Sequence, residues 1–175
     1  MKKYIPNILT TYRLLVAITI PFVFVYTNYH LFIALFLTAV ISDLFDGYLA
    51  RKWNVTSQYG RFADVIADKL FAIISVITLI LFHNKYFIIL LIGEAIIILT
   101  NLMIYIFCGN IEKKNFDNRN SSMYGKFKTI ILFITLVIGY LSYKIDILNI
   151  FLLPLIIISF VLQIVTAIYY YKTRN

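Results

Sequence analysis

The sequence predicts an all-α, polytopic membrane protein with six transmembrane helices and a short N-terminal interfacial segment, on three observations. First, 62% of the residues are hydrophobic and only 14% charged, too few polar side chains to cover an ordinary globular surface. Second, six apolar runs, near residues 14–26, 31–49, 70–82, 86–107, 129–143 and 148–171, approach or reach the roughly 20 residues that cross a bilayer as helix. Third, with both termini assigned to the cytoplasm, all but two of the 16 Lys and Arg residues fall on or near one side, and only Lys85 and Lys144 lie opposite. The net charge of +8 then reads as a topology signal that also suits anionic membrane lipids, and nucleic acid is not expected as a partner.

Residues 2–13 are polar and carry Pro6, whose missing N–H is harmless at a helix start; this segment is expected to lie along the interface before the chain turns inward. No small-residue cleavage pattern follows Val25, so the first run is expected to stay as a span and not to act as a removable signal. Short connections at 28–30 and 83–85 alternate with longer polar ones at 52–61 and 109–126, both on the proposed cytoplasmic side. The 109–126 loop carries Glu112, Lys113, Lys114, Asp117, Arg119 and Lys126, and reads either as a solvated connector or as a substrate contact. Cys108 is the only cysteine, which leaves no disulfide within one copy. Without internal repeats or flexible linkers, residues 1–175 read as one domain.

Of the eight carboxylates, Asp43, Asp46, Asp64 and Asp68 gather at the cytoplasmic ends of the second and third spans. Asp43 and Asp46 are three apart and Asp64 and Asp68 four apart, so each pair shares a helix face. Four carboxylates in a partly lipid-enclosed corner repel one another and suffer desolvation, a cost that divalent cations remove. An all-oxygen donor set without His or Cys favours Mg²⁺ or Mn²⁺ over zinc. Two such ions about 4 Å apart suit a pyrophosphate and the oxygens of an in-line displacement. Gly47, Ala50 and Gly60 leave the neighbouring backbone bare, either for a bulky ligand or for close helix packing.

Asp43, Asp46-Gly47, Ala50-Arg51, Gly60, Asp64 and Asp68 together resemble the signature of the CDP-alcohol phosphatidyltransferases: DxxDGxxAR, eight residues, then GxxxDxxxD. Eight identities at fixed spacing over 26 residues make the resemblance specific. It implies metal-dependent transfer of a phosphatidyl group from CDP-diacylglycerol to a small alcohol acceptor, with release of CMP. Asp43, Asp46 and Asp64 would hold the metals, and Asp68 would complete the site and take the acceptor's proton as catalytic base. Gly47, Ala50 and Gly60 would make room for the cytidine nucleotide, with Arg51 near its phosphates. The family is commonly dimeric, which implies a homodimer here.

Within the family, Ile5-Pro6-Asn7 through Thr10 and Arg13 is similar to the IPNxxTxxR opening of phosphatidylglycerophosphate synthases, whose acceptor is glycerol 3-phosphate. Gly125-Lys126-Phe127-Lys128-Thr129 is similar to their GKxKT segment, which implies that Lys126 and Lys128 meet substrate phosphate. The chain departs from them at Gly93 and Asn101, where they tend to carry arginine, and at Val65, where proline is usual. An anionic acceptor is then left to Arg61, Arg119, Lys126 or Lys128, or the acceptor is another alcohol, such as inositol, inositol phosphate, serine or phosphatidylglycerol. Glu94, a carboxylate inside the fourth span, is either an acceptor contact or a helix-to-helix hydrogen-bonding group. A cation transporter would spread its carboxylates across the membrane depth, and a non-catalytic CDP-lipid binder would not need the whole signature.

Overall fold

The computed structural model describes the backbone of residues 5–26, 28–52, 58–107 and 123–174, with side chains described for 8–26, 28–42, 66–104, 106 and 124–172. The described residues form α-helices, two short 3-10 turns and no strand. The helices are α1 (Ile5–Tyr26), α2 (Tyr29–Lys52), α3 (Gln58–Phe82), α4 (Ile88–Phe107), α5 (Met123–Ser142) and α6 (Asn149–Arg174). Among the described residues, four helices are long and apolar enough to cross a membrane, over Ile8–Tyr26, Lys85–Ile104, Tyr124–Ser142 and Asp146–Lys172, and α2 adds an apolar stretch over Tyr29–Ser42, where its described side chains end. Their outward faces are apolar as well. Leu15, Ile18 and Phe22 on α1, Leu99, Leu102 and Met103 on α4, and Ile150 and Phe151 on α6 are all exposed, as expected of helices whose solvent is lipid.

Helix ends differ from those that hydropathy suggests. α1 is continuous from Ile5, so the segment expected to lie separately along the interface is, from that residue on, the first turns of α1. α3 begins at Gln58, well before the apolar run near residue 70, and α5 begins at Met123, inside the stretch expected to be loop. The reason is that backbone hydrogen bonds of a helix continue past the point where its side chains turn polar, because water satisfies those side chains. Pro21 and Pro154 are carried inside α1 and α6, as membrane helices allow when neighbours re-satisfy the freed carbonyl.

Chain contacts divide the molecule into two compact units, Met1–Phe82 and His83–Asn175. In the first, α1 packs against both α2 and α3. Buried Ala17, Ala39 and Ala67 let the three backbones approach. Aromatic rings fill the remaining space: Phe24 meets Phe32 at 5.0 Å and Phe82 at 6.0 Å, and Phe36 stacks on Phe71 at 5.2 Å.

In the second unit α6 packs against both α4 and α5, over a core that includes Leu90, Ile97, Leu132, Leu136, Tyr140 and Ile156. Its turns are short and capped. Asn84 accepts a hydrogen bond from the Tyr86 amide to start the turn Lys85–Phe87, and Asp146–Leu148 leads into α6. His83 joins this end of the unit through a 2.8 Å hydrogen bond between its Nε2 and Ser142 Oγ, with its ring edge-on to Tyr143.

Partial burial lowers the pKa of His83 from 6.5, against an opposing hydrogen bond to Asn149. As the pH falls, the unfolded chain therefore binds this proton first. The contribution to stability is complete above pH 6.5, declines below it and levels off only beneath the folded-state value. His83→Gln is expected to flatten this decline, as read by melting temperatures in detergent between about pH 7.5 and about pH 5.

Candidate functional site

The signature residues lie on two consecutive helices of the first unit. Asp43, Asp46, Gly47, Ala50 and Arg51 are on the last turns of α2, and Gly60, Arg61, Asp64 and Asp68 on the first turns of α3. Of these, the side chain of Asp68 is described and the others lie outside the described side chains. Backbone register still relates the two helices. Phe36 of α2 stacks on Phe71 of α3, Asp43 comes seven residues after Phe36, and Asp64 comes seven before Phe71. α2 is antiparallel to α1, because Phe24 meets Phe32 while Tyr12 meets Thr38. α3 runs parallel to α1, because Phe24 meets Phe82 while Arg13 meets Asp68. Asp43 and Asp64 therefore both lie about 10 Å beyond the aromatic stack, on the same end of the unit.

Asp68 is engaged from α1. Arg13 Nη1 donates to Asp68 Oδ1, in an ion pair whose arginine is completely buried while the aspartate side chain keeps 31% exposure. A guanidinium does not deprotonate, so excluding it from solvent requires a nearby anion. One residue away, a 2.8 Å hydrogen bond between Tyr12 and Thr38 ties the same turn of α1 to α2. This partnership of Arg13 is absent from the sequence reading, although an ionised residue beside an apolar run is the signal that could have raised it.

The second unit holds a separate buried polar cluster. Lys128 Nζ of α5 lies 2.5 Å from Glu94 Oε1 of α4, with both side chains buried. Gln163 of α6, fully buried, donates its Nε2 to the same Glu94 oxygen at 3.0 Å and to the Leu90 carbonyl at 3.4 Å. Three helices thus meet at one carboxylate. Gly93 makes the approach feasible: a Cβ there would stand 1.9 Å from Gln163 Oε1, closer than any non-bonded pair tolerates. Of the two readings of Glu94, the helix-to-helix one is visible here. Lys126 is exposed at the start of α5, and Asn101 donates to the Ile97 carbonyl within α4. Arg119 lies outside the described residues. Gln163, deep in an apolar run, is the member of this cluster that sequence reasoning missed.

Among the described residues no three His, Cys, Asp or Glu side chains come together as a metal would need; the side chains of Asp43, Asp46 and Asp64 lie outside the described ones. The donor chemistry of the four aspartates, all hard oxygen at one end of two neighbouring helices, fits Mg²⁺ or Mn²⁺.

A sequence profile described as CDP-alcohol phosphatidyltransferase matches residues 3–169. The chain is 34% identical over 120 residues to a Mycoplasma pneumoniae protein named CDP-diacylglycerol–glycerol-3-phosphate 3-phosphatidyltransferase, over 55% of this chain and 53% of that one. A Wigglesworthia glossinidia brevipalpis protein of the same name is 36% identical over 105 residues, covering 55% of this chain and 58% of the relative. These two matches span little more than half of the relatives' own length. An Aquifex aeolicus protein, again of that name, is 30% identical over 172 residues, which is 95% of this chain and 93% of the relative.

Removing one member of a buried ion pair strands the other. Lys128→Met is expected to destabilise the protein by about 3–5 kcal/mol, and Glu94→Gln/Lys128→Met to recover most of that loss, both measured by thermal unfolding in detergent.

Proposed function

The chain belongs to the CDP-alcohol phosphatidyltransferase family, and we propose that it transfers a phosphatidyl group from CDP-diacylglycerol to glycerol 3-phosphate, releasing CMP. The observation that carries this reading is the complete signature, Asp43 to Asp68, on the adjoining ends of α2 and α3 with Asp43 and Asp64 in register. The choice of acceptor is supported by the name of the Aquifex aeolicus relative, which the match spans almost end to end, and by the similarity of Lys126 and Lys128 to the GKxKT segment. The same chemistry with inositol, inositol phosphate, serine or phosphatidylglycerol is the competing outcome of the test below.

In this reading the protein is a six-span cell-membrane enzyme with both termini and the carboxylate end facing the cytoplasm, where the basic residues gather. Asp43, Asp46, Asp64 and Asp68 would hold Mg²⁺ or Mn²⁺, as two ions, which would supply positive charge for the donor's pyrophosphate and for departing CMP. Asp68 accepts the proton of the acceptor hydroxyl as its oxygen attacks the β-phosphorus; the P–O bond to CMP breaks, and the leaving phosphate keeps that electron pair. Gly47, Ala50 and Gly60 admit the nucleotide to the backbone, and Arg51 meets its phosphates. Arg61, Arg119 and Lys126 supply positive charge for an anionic acceptor. Lys128 joins them only by sharing its ammonium with Glu94, its buried partner. Anionic lipids meet the basic side of the protein, and two copies pair as a homodimer.

Purified protein supplied with CDP-diacylglycerol, Mn²⁺ and each acceptor in turn is expected to release CMP with glycerol 3-phosphate. Asp68→Asn is expected to lower kcat about 10²–10⁴-fold while the protein still inserts and folds. Retained turnover in Asp68→Asn or Asp64→Asn would sink the proposed site, and CMP release with a different alcohol alone would replace the acceptor. Lys126→Ala is expected to raise KM for glycerol 3-phosphate more than for CDP-diacylglycerol; equal rises would make Lys126 a general membrane anchor.

A further inference from the structure

We infer that Arg13 is a positioning residue for Asp68: from α1 it holds the carboxylate of α3 in one place and one orientation before any substrate arrives. The inference rests on the proposed role of Asp68 as the group that takes the acceptor's proton, and adds to it a residue outside the signature.

Arg13 sits on a face of α1 that is buried along its length. Thr10, Val16, Ala17 and Ile20, at helical spacing from it, are 7%, 8%, 0% and 2% exposed, and Arg13 itself is 0% exposed. Its aliphatic stem is therefore packed on both sides along the helix, and its planar guanidinium has little freedom to turn. The turn is pinned laterally by the Tyr12–Thr38 hydrogen bond. On the α3 side Asp68 is framed by buried Ala67, Phe71 and Ala72, while its own side chain keeps 31% exposure. The pair thus has a rigid inner half and an accessible outer half.

Stability alone is a weak reason for such a pair, because well-packed apolar residues in place of a buried ion pair are often as stable or more so. Geometry supplies a better reason. Nη1 contacts Oδ1, which holds that oxygen and closes one approach to the carboxylate, so a reacting hydroxyl must come from the side that the guanidinium does not occupy. Misplacement of a reacting group by about 1 Å costs on the order of 100-fold in rate, so a support of this kind acts on turnover and leaves substrate affinity alone.

The test uses the full-length protein in lipid nanodiscs, with wild-type CMP release from CDP-diacylglycerol and glycerol 3-phosphate measured first. If wild type releases no CMP with any acceptor, the proposed function fails, and the inference, which presupposes it, falls with it. Given wild-type turnover, Arg13→Met is expected to lower kcat about 100-fold with KM for both substrates within about twofold of wild type. Arg13→Lys, which restores a charge without the planar fork, is expected to recover about tenfold of that loss. A kcat for Arg13→Met within about threefold of wild type overturns the inference, and so does a rise in either KM at unchanged kcat, which would make Arg13 a substrate ligand. Should Arg13→Met fail to fold, Arg13→Lys decides: kcat about tenfold down at unchanged KM and melting temperature supports the role, and wild-type kcat overturns it. A readout independent of turnover comes from melting temperatures of Arg13→Lys, Asp68→Asn and the double variant. Non-additive shifts are expected of a coupled pair, and additive shifts overturn the contact itself.

Discussion

A charge that leaves water must find its opposite within reach, and helices with apolar outer faces offer few places to find one. Both units are organised around that constraint. In the first, the guanidinium of Arg13 is met by Asp68 across the α1–α3 boundary; in the second, the ammonium of Lys128 is met by Glu94 across α4 and α5, with Gln163 of α6 on the same carboxylate. Apolar contact between such helices has little directional content, since lipid tails are as apolar as leucine. The ion pairs and the aromatic stack of Phe36 on Phe71 therefore do most to set which helix faces which, and in what register.

That register is what gives the signature its meaning. Spacing in sequence puts Asp43 with Asp46 and Asp64 with Asp68, but it does not say how far α2 lies from α3. The ring contact two turns away gives their register, and it sets both carboxylate-bearing ends at one level without reference to their side chains. The small residues Ala17, Ala39 and Ala67 are buried where α1 packs against both helices, and α1 carries Arg13, which meets Asp68 from outside the motif.

Much of this was legible beforehand and some was not, for physical reasons. Apolar runs revealed the helices because burial in lipid demands them, and the aspartate spacing revealed the motif because a helix face repeats every three to four residues. Helix ends escaped, as at Gln58 and Met123, because hydropathy reports side chains while helices end with their backbone hydrogen bonds. The partner of Arg13 escaped because 55 positions separate it from Asp68, and no local pattern encodes that distance. Glu94 was recognised as a carboxylate inside a span with two open readings, and the meeting of α4, α5 and α6 supplies its helix-to-helix contacts. Gly93, noted as a departure from the resembled pattern, turns out to be space that Gln163 occupies.

The apolar run of α2 at 31–49 carries Asp43 and Asp46 within it. Carboxylates set among apolar residues draw water or cations to their own depth. A reactant anchored by acyl chains and one dissolved in water then share a boundary there, without the first rising out of the membrane or the second dissolving into it.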